Sequence, residues 1–264
     1  MSKFKKVSII ALLLLIIGLV GAIATNSEQN RQLPVQEIEI KDSNYKQIEL
    51  LTYDAKVELL PTNRAHAYIE VSGHKTNKKL SVSVQDSLLF IKYDNKQFKL
   101  FNFNIFPKTE AIKLFVPAKQ YEQIKVSKHD GTLLIEQLEA EQLVITGRDG
   151  LIRLKNTVAA QTTIKGNDGI LELEEAAGAI NADMKDAIIK MHTAKLQFPI
   201  SLAARDGLIQ LTVVDEPENA FISTSIQDGL VSLFGERNSS MLYGNGETKV
   251  NLKLNDGKIT IKRQ

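Results

Sequence analysis

Carboxylates are the residues of this chain best spaced for chemistry. Glu172 and Glu174 are separated by Leu173. On a strand they would share one face about 7 Å apart, a separation at which glycosidases hold an acid and a base. Asp183 and Asp186 make a second pair. Acidic pairs of this kind are common on solvated β faces, and nothing else converges on either pair. The four histidines are His66, His74, His129 and His192. None lies in an H-E-x-x-H arrangement, so each reads as a surface or turn residue. The chain has no Cys, which removes disulfides, thiolate zinc sites and cysteine nucleophiles together. Gly244-Asn245-Gly246 lacks the helix and the Lys-Ser/Thr of a phosphate loop and reads as a hairpin loop. No catalytic residue, no metal site and no cofactor are assigned, and the expectation is a protein that is not an enzyme.

The elements that position these residues are set by a repeat. Asp-Gly occurs at Asp130-Gly131, Asp149-Gly150, Asp168-Gly169, Asp206-Gly207, Asp228-Gly229 and Asp256-Gly257, and Asp186-Ala187 fills the one gap. The spacings are 19, 19, 18, 20, 22 and 28 residues. Three and five positions after each Asp the residue is apolar, as in Ile152 and Leu154 or Leu171 and Leu173, and the residue between them is polar in every repeat but the first. A second apolar alternation precedes each Asp. Each repeat is therefore strand, turn, strand, with Gly supplying the positive φ of the turn.

Asp-Gly between strands fits an antiparallel hairpin chain. It also fits an all-β, single-stranded β-solenoid of ~19-residue strand–turn–strand repeats, and the near-constant period favours the solenoid. Stacked rungs would bring the Asp residues to about 4.8 Å from one another. The residue before each Asp is His129, Arg148, Asn167, Lys185, Arg205, Gln227 or Asn255, always a donor or a cation and never an acid. The expectation is a neutralised structural ladder rather than a calcium site.

Residues 37–117 read as irregular strands, Glu37–Ile40, Gln47–Leu51, Lys56–Leu60, Ala67–Ser72, Leu80–Val84, Leu88–Tyr93 and Ala111–Val116, and residues 118–264 as the repeats. Phe98, Phe101, Phe103 and Phe106 crowd one segment. They form either a cap on the open end of the β core or an exposed contact patch. A β-helix enzyme acting on wall polysaccharide would need long loops and aromatic platforms. Trp is absent and aromatics make up 6% of the chain, which argues against one.

Residues 1–6 form a basic tail, 7–24 an uncharged apolar span and 25–36 a polar linker. A helix over Val7–Ala24 would rise about 27 Å, enough for the hydrocarbon core of a bilayer. Lys3, Lys5 and Lys6 place the N-terminus inside and the rest outside. The span reads as a transmembrane signal anchor; Ala22-Ile23-Ala24 leaves a cleaved signal peptide, and so a secreted protein, as the alternative. Without those three lysines the chain carries 30 cations against 31 anions, which excludes a nucleic-acid binder working on bulk charge.

The strand ending in Val-Pro within IKLFVPAKQYEQIKV, Ile112 to Val126, followed by Asp/Gly-punctuated strand repeats, resembles the bacterial "putative adhesin" β-strand-repeat domain family. With one N-terminal anchor the layout is similar to LiaG-like membrane-anchored proteins of Gram-positive envelope-stress operons. Asp186-Ala187 and an insertion near Gly235–Gly246 depart from the pattern. The resemblance implies a surface-located, non-catalytic β-solenoid that binds an envelope protein or polymer, with a role in adhesion or envelope stress. It carries over no catalytic residues.

Overall fold

The computed structural model describes residues 35–72, 80–94 and 111–264. The apolar span of residues 7–24 and the Phe98–Phe106 cluster lie outside the described residues. Among those described there is no helix.

The strands, in chain order, are β1 (Val35–Ile40), β2 (Gln47–Thr62), β3 (Ala67–Ser72), β4 (Leu80–Gln85), β5 (Leu88–Tyr93), β6 (Ala111–Pro117), β7 (Gln120–Glu136), β8 (Glu139–Thr146), β9 (Leu151–Lys155), β10 (Val158–Lys165), β11 (Asp168–Glu174), β12 (Ala177–Asp183), β13 (Asp186–Thr193), β14 (Ile200–Val213), β15 (Ala220–Leu233), β16 (Ser240–Leu242) and β17 (Thr248–Arg263). Each repeat supplies a strand to each of two parallel columns, with the Asp-Gly corner between them. The first column runs β5, β2, β7, β8, β10, β12, β14, β17, β15. The second runs β6, β2, β7, β9, β11, β13, β14, β17, β15. The long strands β2, β7, β14, β15 and β17 pass through the corner and serve both columns. Parallel, in-register pairing between successive repeats replaces the hairpin alternative, in which the two strands flanking each Asp-Gly would pair with each other.

Alternation explains why the stack holds. Inward positions such as Ile152, Leu154, Leu171, Leu173, Ile189, Ile209 and Leu211 are buried, and the inward residues of both columns form one continuous core. At about 0.8 kcal/mol for each buried methylene, this apolar alternation is the main driving force for stacking.

Chain order and stacking order part at both ends. β2 lies between β7 and the β5/β6 rung. β17 lies between β14 and β15, so Asp256-Gly257 stacks on Asp206-Gly207, and Asp228-Gly229 is outermost. The insertion near Gly235–Gly246 accounts for this: it holds β16, which pairs antiparallel with the first half of β15, and lets the chain return beneath that strand. At the other end β3 and β4 pair antiparallel with β6 and β5.

The corner opposite Asp-Gly has its own backbone signature. Gln137, Asn156 and Glu175 adopt positive φ (54°, 48° and 49°), and each donates its N–H to the carbonyl one rung on: Lys155, Glu174 and His192. Their spacing is also 19 residues. Only Asn156 is of a type that favours this conformation, which is why the second corner is silent in the sequence.

Candidate functional site: the Asp-Gly corner and its flanking face

The corner residues form one ladder. Asp54 pairs in register with Asp130. The backbone N–H of Asp149 donates to His129 O and that of Asp168 to Arg148 O, which carries the ladder on to Asp186, Asp206, Asp256 and Asp228. Every Asp-Gly pair of the sequence is thus brought to one line. Asp54-Ala55 is an additional member. Its signal was present in TYDAKVEL: Asp-Ala, as at Asp186, with Val57 and Leu59 three and five positions on.

Glycine is required for two reasons at once. Gly169 has φ +136°, and a Cβ there would lie 2.1 Å from the carbonyl oxygen of Gly150 on the adjacent rung. Ala55 and Ala187 are absent from the positive-φ residues, so those two corners bend without the left-handed conformation and accept a methyl group.

Charge along the ladder is handled locally. Arg205 Nη2 lies 2.6 and 2.7 Å from the two carboxylate oxygens of Asp186, and its Nε lies 3.0 Å from Asp206. This holds Asp186 below the usual carboxylate range. Arg148 approaches Asp149 at 3.4 Å and His129 approaches Asp130 at 3.7 Å. Asp130 is nonetheless raised, by burial first and then by the neighbouring Asp54 and Asp149 carboxylates. Inside the corner, the buried Lys128 donates to the Asp149 carbonyl, and burial lowers its pKa. Its stem passes over Gly147, while Met184 passes over Gly166, where a Cβ would lie 2.5 Å from the Met184 sulfur; Gly166 makes room for that side chain. Thr52, the register partner of Lys128, has a buried hydroxyl with no hydrogen-bond partner.

Beside the ladder, two positions after the Asp, runs an outward aliphatic row. Leu151, Ile170, Ile188 and Leu208 sit in register on consecutive rungs. Ile188 is 37% exposed and the other three are half-buried. The alternation in the sequence marks the inward positions three and five residues after each Asp and carries no mark of this outward row. The next outward row is Arg153, Glu172, Lys190 and Gln210. Arg153 holds Glu172 through two hydrogen bonds, the Nε bond at 2.7 Å. Glu172 is therefore committed to an ion pair instead of standing free beside Glu174. On the first column the outward row Gln47, Gln123, Gln142 and Gln161 is in register, with Gln123 Nε2 donating to Gln142 Oε1 at 3.0 Å.

The histidines do not converge. His129 stacks on Tyr53, centroids 5.9 Å apart. His192 lies 3.8 Å from Glu175. His66 Nδ1 is buried without a partner, and His74 lies outside the described residues. Among the described residues, no three His, Asp or Glu side chains are grouped as metal ligands would be. The arrangement is a regularly patterned face: a charged corner, an aliphatic row and a polar row that holds the Arg153–Glu172 ion pair.

Parallel, in-register stacking of strand–Asp-Gly–strand rungs defines an all-β repeat domain. The chain belongs to the Toastrack DUF4097 family, whose model matches residues 45–177 and 134–262. The resemblance seen around Ile112–Val126 and the repeats is thereby upheld. No curated protein matches the chain. Among solved structures, the chain is similar to a putative cell adhesion protein of Clostridium sporogenes, at 13% identity and a TM-score of 0.41 over 88% of this chain and 100% of that one. It is similar to a putative adhesin of Bacteroides fragilis at 14% identity and a TM-score of 0.45, over 88% and 98%. A putative lipid binding protein of Parabacteroides distasonis aligns at 15% identity and a TM-score of 0.32, over 89% and 98%. None of the three assigns a function to this chain.

Proposed function

We propose that this protein is a non-catalytic binding module of the bacterial cell envelope, tethered to the membrane by residues 7–24 with the β stack outside. The reading rests on the aliphatic row of Leu151, Ile170, Ile188 and Leu208, which stands outward at rung spacing beside a charged corner. An apolar row rimmed by charge is what a protein or polymer partner can grip. The ladder of backbone bonds beneath it keeps the row in place, so binding would cost little ordering entropy. The partner is another envelope component, and the LiaG-like layout points to the envelope stress response as the setting.

Protease applied to whole protoplasts, followed by intact-mass measurement of each fraction, tests the placement. A 29.4 kDa chain in the membrane that is shaved from outside supports the reading. A chain shortened at Ala24 and recovered from the medium would replace it with a secreted adhesin, and a membrane chain untouched by protease would overturn the outward orientation.

A further inference from the structure

We propose that the second half of β15 is a self-pairing edge, through which two copies of this chain join antiparallel with Leu230 facing its counterpart. β15 ends the stack. Its first half is covered by β16, an antiparallel strand of the same chain. Among the described residues, Asp228–Ser232 pair only with β17. Leu230, at the centre of this stretch, is 61% exposed. Of the usual devices that blunt an edge, these five positions hold no Pro and no Lys, and their one charge, Asp228, stands at the end of the stretch.

The direction of the free backbone groups follows from their neighbours. Phe234 donates its N–H to Ile261 of β17, whereas Leu233 exchanges both of its bonds with Glu236 on the other side. By the alternation of a β ladder, Val231 and Gly229 then turn their N–H and C=O to the open side, and Leu230 turns its own toward β17. A two-fold axis through Leu230 makes it the close, non-hydrogen-bonded pair. Gly229 then faces the partner's Val231 in a hydrogen-bonded pair on either side.

Charge selects the second copy in this orientation. Antiparallel pairing sets Asp228 against the partner's Ser232. Parallel pairing that continued the stack would set Asp228 beside another Asp where the preceding residues, Gln227 and Asn255, supply no cation of the kind Arg205 supplies to Asp186 and Asp206, which is unfavourable. The opposite end of the stack is finished by antiparallel β3 and β4, so it offers no matching parallel rung.

The chain has no Cys, which makes the test direct. Leu230→Cys in the full-length protein, in its native membrane under mild oxidant, should give a reducible dimer at least tenfold faster than the mid-stack control Asn181→Cys. Close antiparallel pairs lie within disulfide range. Adding Val231→Pro removes an N–H that faces the open side, and should cut the cross-link at least tenfold in protein whose strand content by circular dichroism is retained. Should that variant fail to fold, Leu230→Lys with sedimentation of the full chain replaces it, the expected result being loss of the dimer. Cross-linking no faster than the control, or a dimer indifferent to Leu230→Lys, would overturn the proposal, including in favour of a different protein at this edge.

Discussion

Arg205 reaches back one full rung to hold Asp186: its Nη2 lies 2.6 Å from Oδ2, although the two residues are 19 apart in sequence. The same guanidinium touches Asp206, so one cation serves two steps of the ladder. Asp130 occupies the same ladder position between the Asp54 and Asp149 carboxylates, with His129 at 3.7 Å, and its carboxyl moves the other way.

The two carboxylates should therefore titrate on opposite sides of their ordinary value of 3.8. Asp186 is depressed, so its contribution to stability is present above the unfolded value and is lost as pH falls through the folded one. Asp130 is raised. It costs stability above its folded value, and that cost is relieved as pH falls through it. Carboxyl NMR titration should show Asp186 below 3.8 and Asp130 above it, with Arg205→Ala moving Asp186 upward. A common midpoint for both would refute the local account of ladder charge.

Gly169→Val should destabilise the protein by more than about 1 kcal/mol, since it combines a left-handed φ with a Cβ driven into a neighbouring carbonyl. Equilibrium urea unfolding measures this. A change within a few tenths would mean that the corner relaxes as it does at Ala187.

Lys128→Met tests the buried ammonium. With its pKa lowered, charged Lys128 costs stability below the folded value, and stability is regained as pH rises through that value toward 10.5. The Met variant should be neutral or more stable by about 1 kcal/mol at pH 7, without the alkaline gain. Destabilisation beyond about 2 kcal/mol would show instead that the ammonium is needed to offset Asp130 and Asp149.

Ile170→Glu with Ile188→Glu should leave stability within about 1 kcal/mol, because both side chains face outward. It should weaken binding of the full chain to isolated cell envelopes at least tenfold in a co-sedimentation titration. Undiminished binding would move the contact to another face, the Gln47–Gln161 row being the first to examine.

Much of this architecture is legible in the sequence. Alternation around each Asp marked the inward faces, and the strands expected in the first half recur nearly residue for residue, except that Gln47–Leu51 and Lys56–Leu60 are one strand turning at Asp54. Other features were not legible, for physical reasons. A parallel ladder demands the same pattern of every rung, so Asp206, Asp228 and Asp256 look alike and nothing in them reveals that Asp256 lies between the other two. Contacts made across rungs, such as Arg205 to Asp186 or Lys128 over Gly147, depend on which long side chain leans which way, and periodicity carries no information about that. The aliphatic row of Ile170 and Ile188 is hidden by the same alternation that exposes the core, since alternation predicts polar residues at outward positions.

The interleaving of β17 also makes the stack a check on completeness. A rung lying between β14 and β15 cannot be supplied until Thr248–Arg263 has been made and has turned back under β15. A chain cut short before that point would retain every earlier repeat and still lack the strand that joins its last two. Loss of the final segment would thus open a gap within the stack and not merely trim its tip, leaving unpaired the edges of β14 and β15 that β17 joins. Such a fragment would be conspicuous to any protease that reads exposed strand edges.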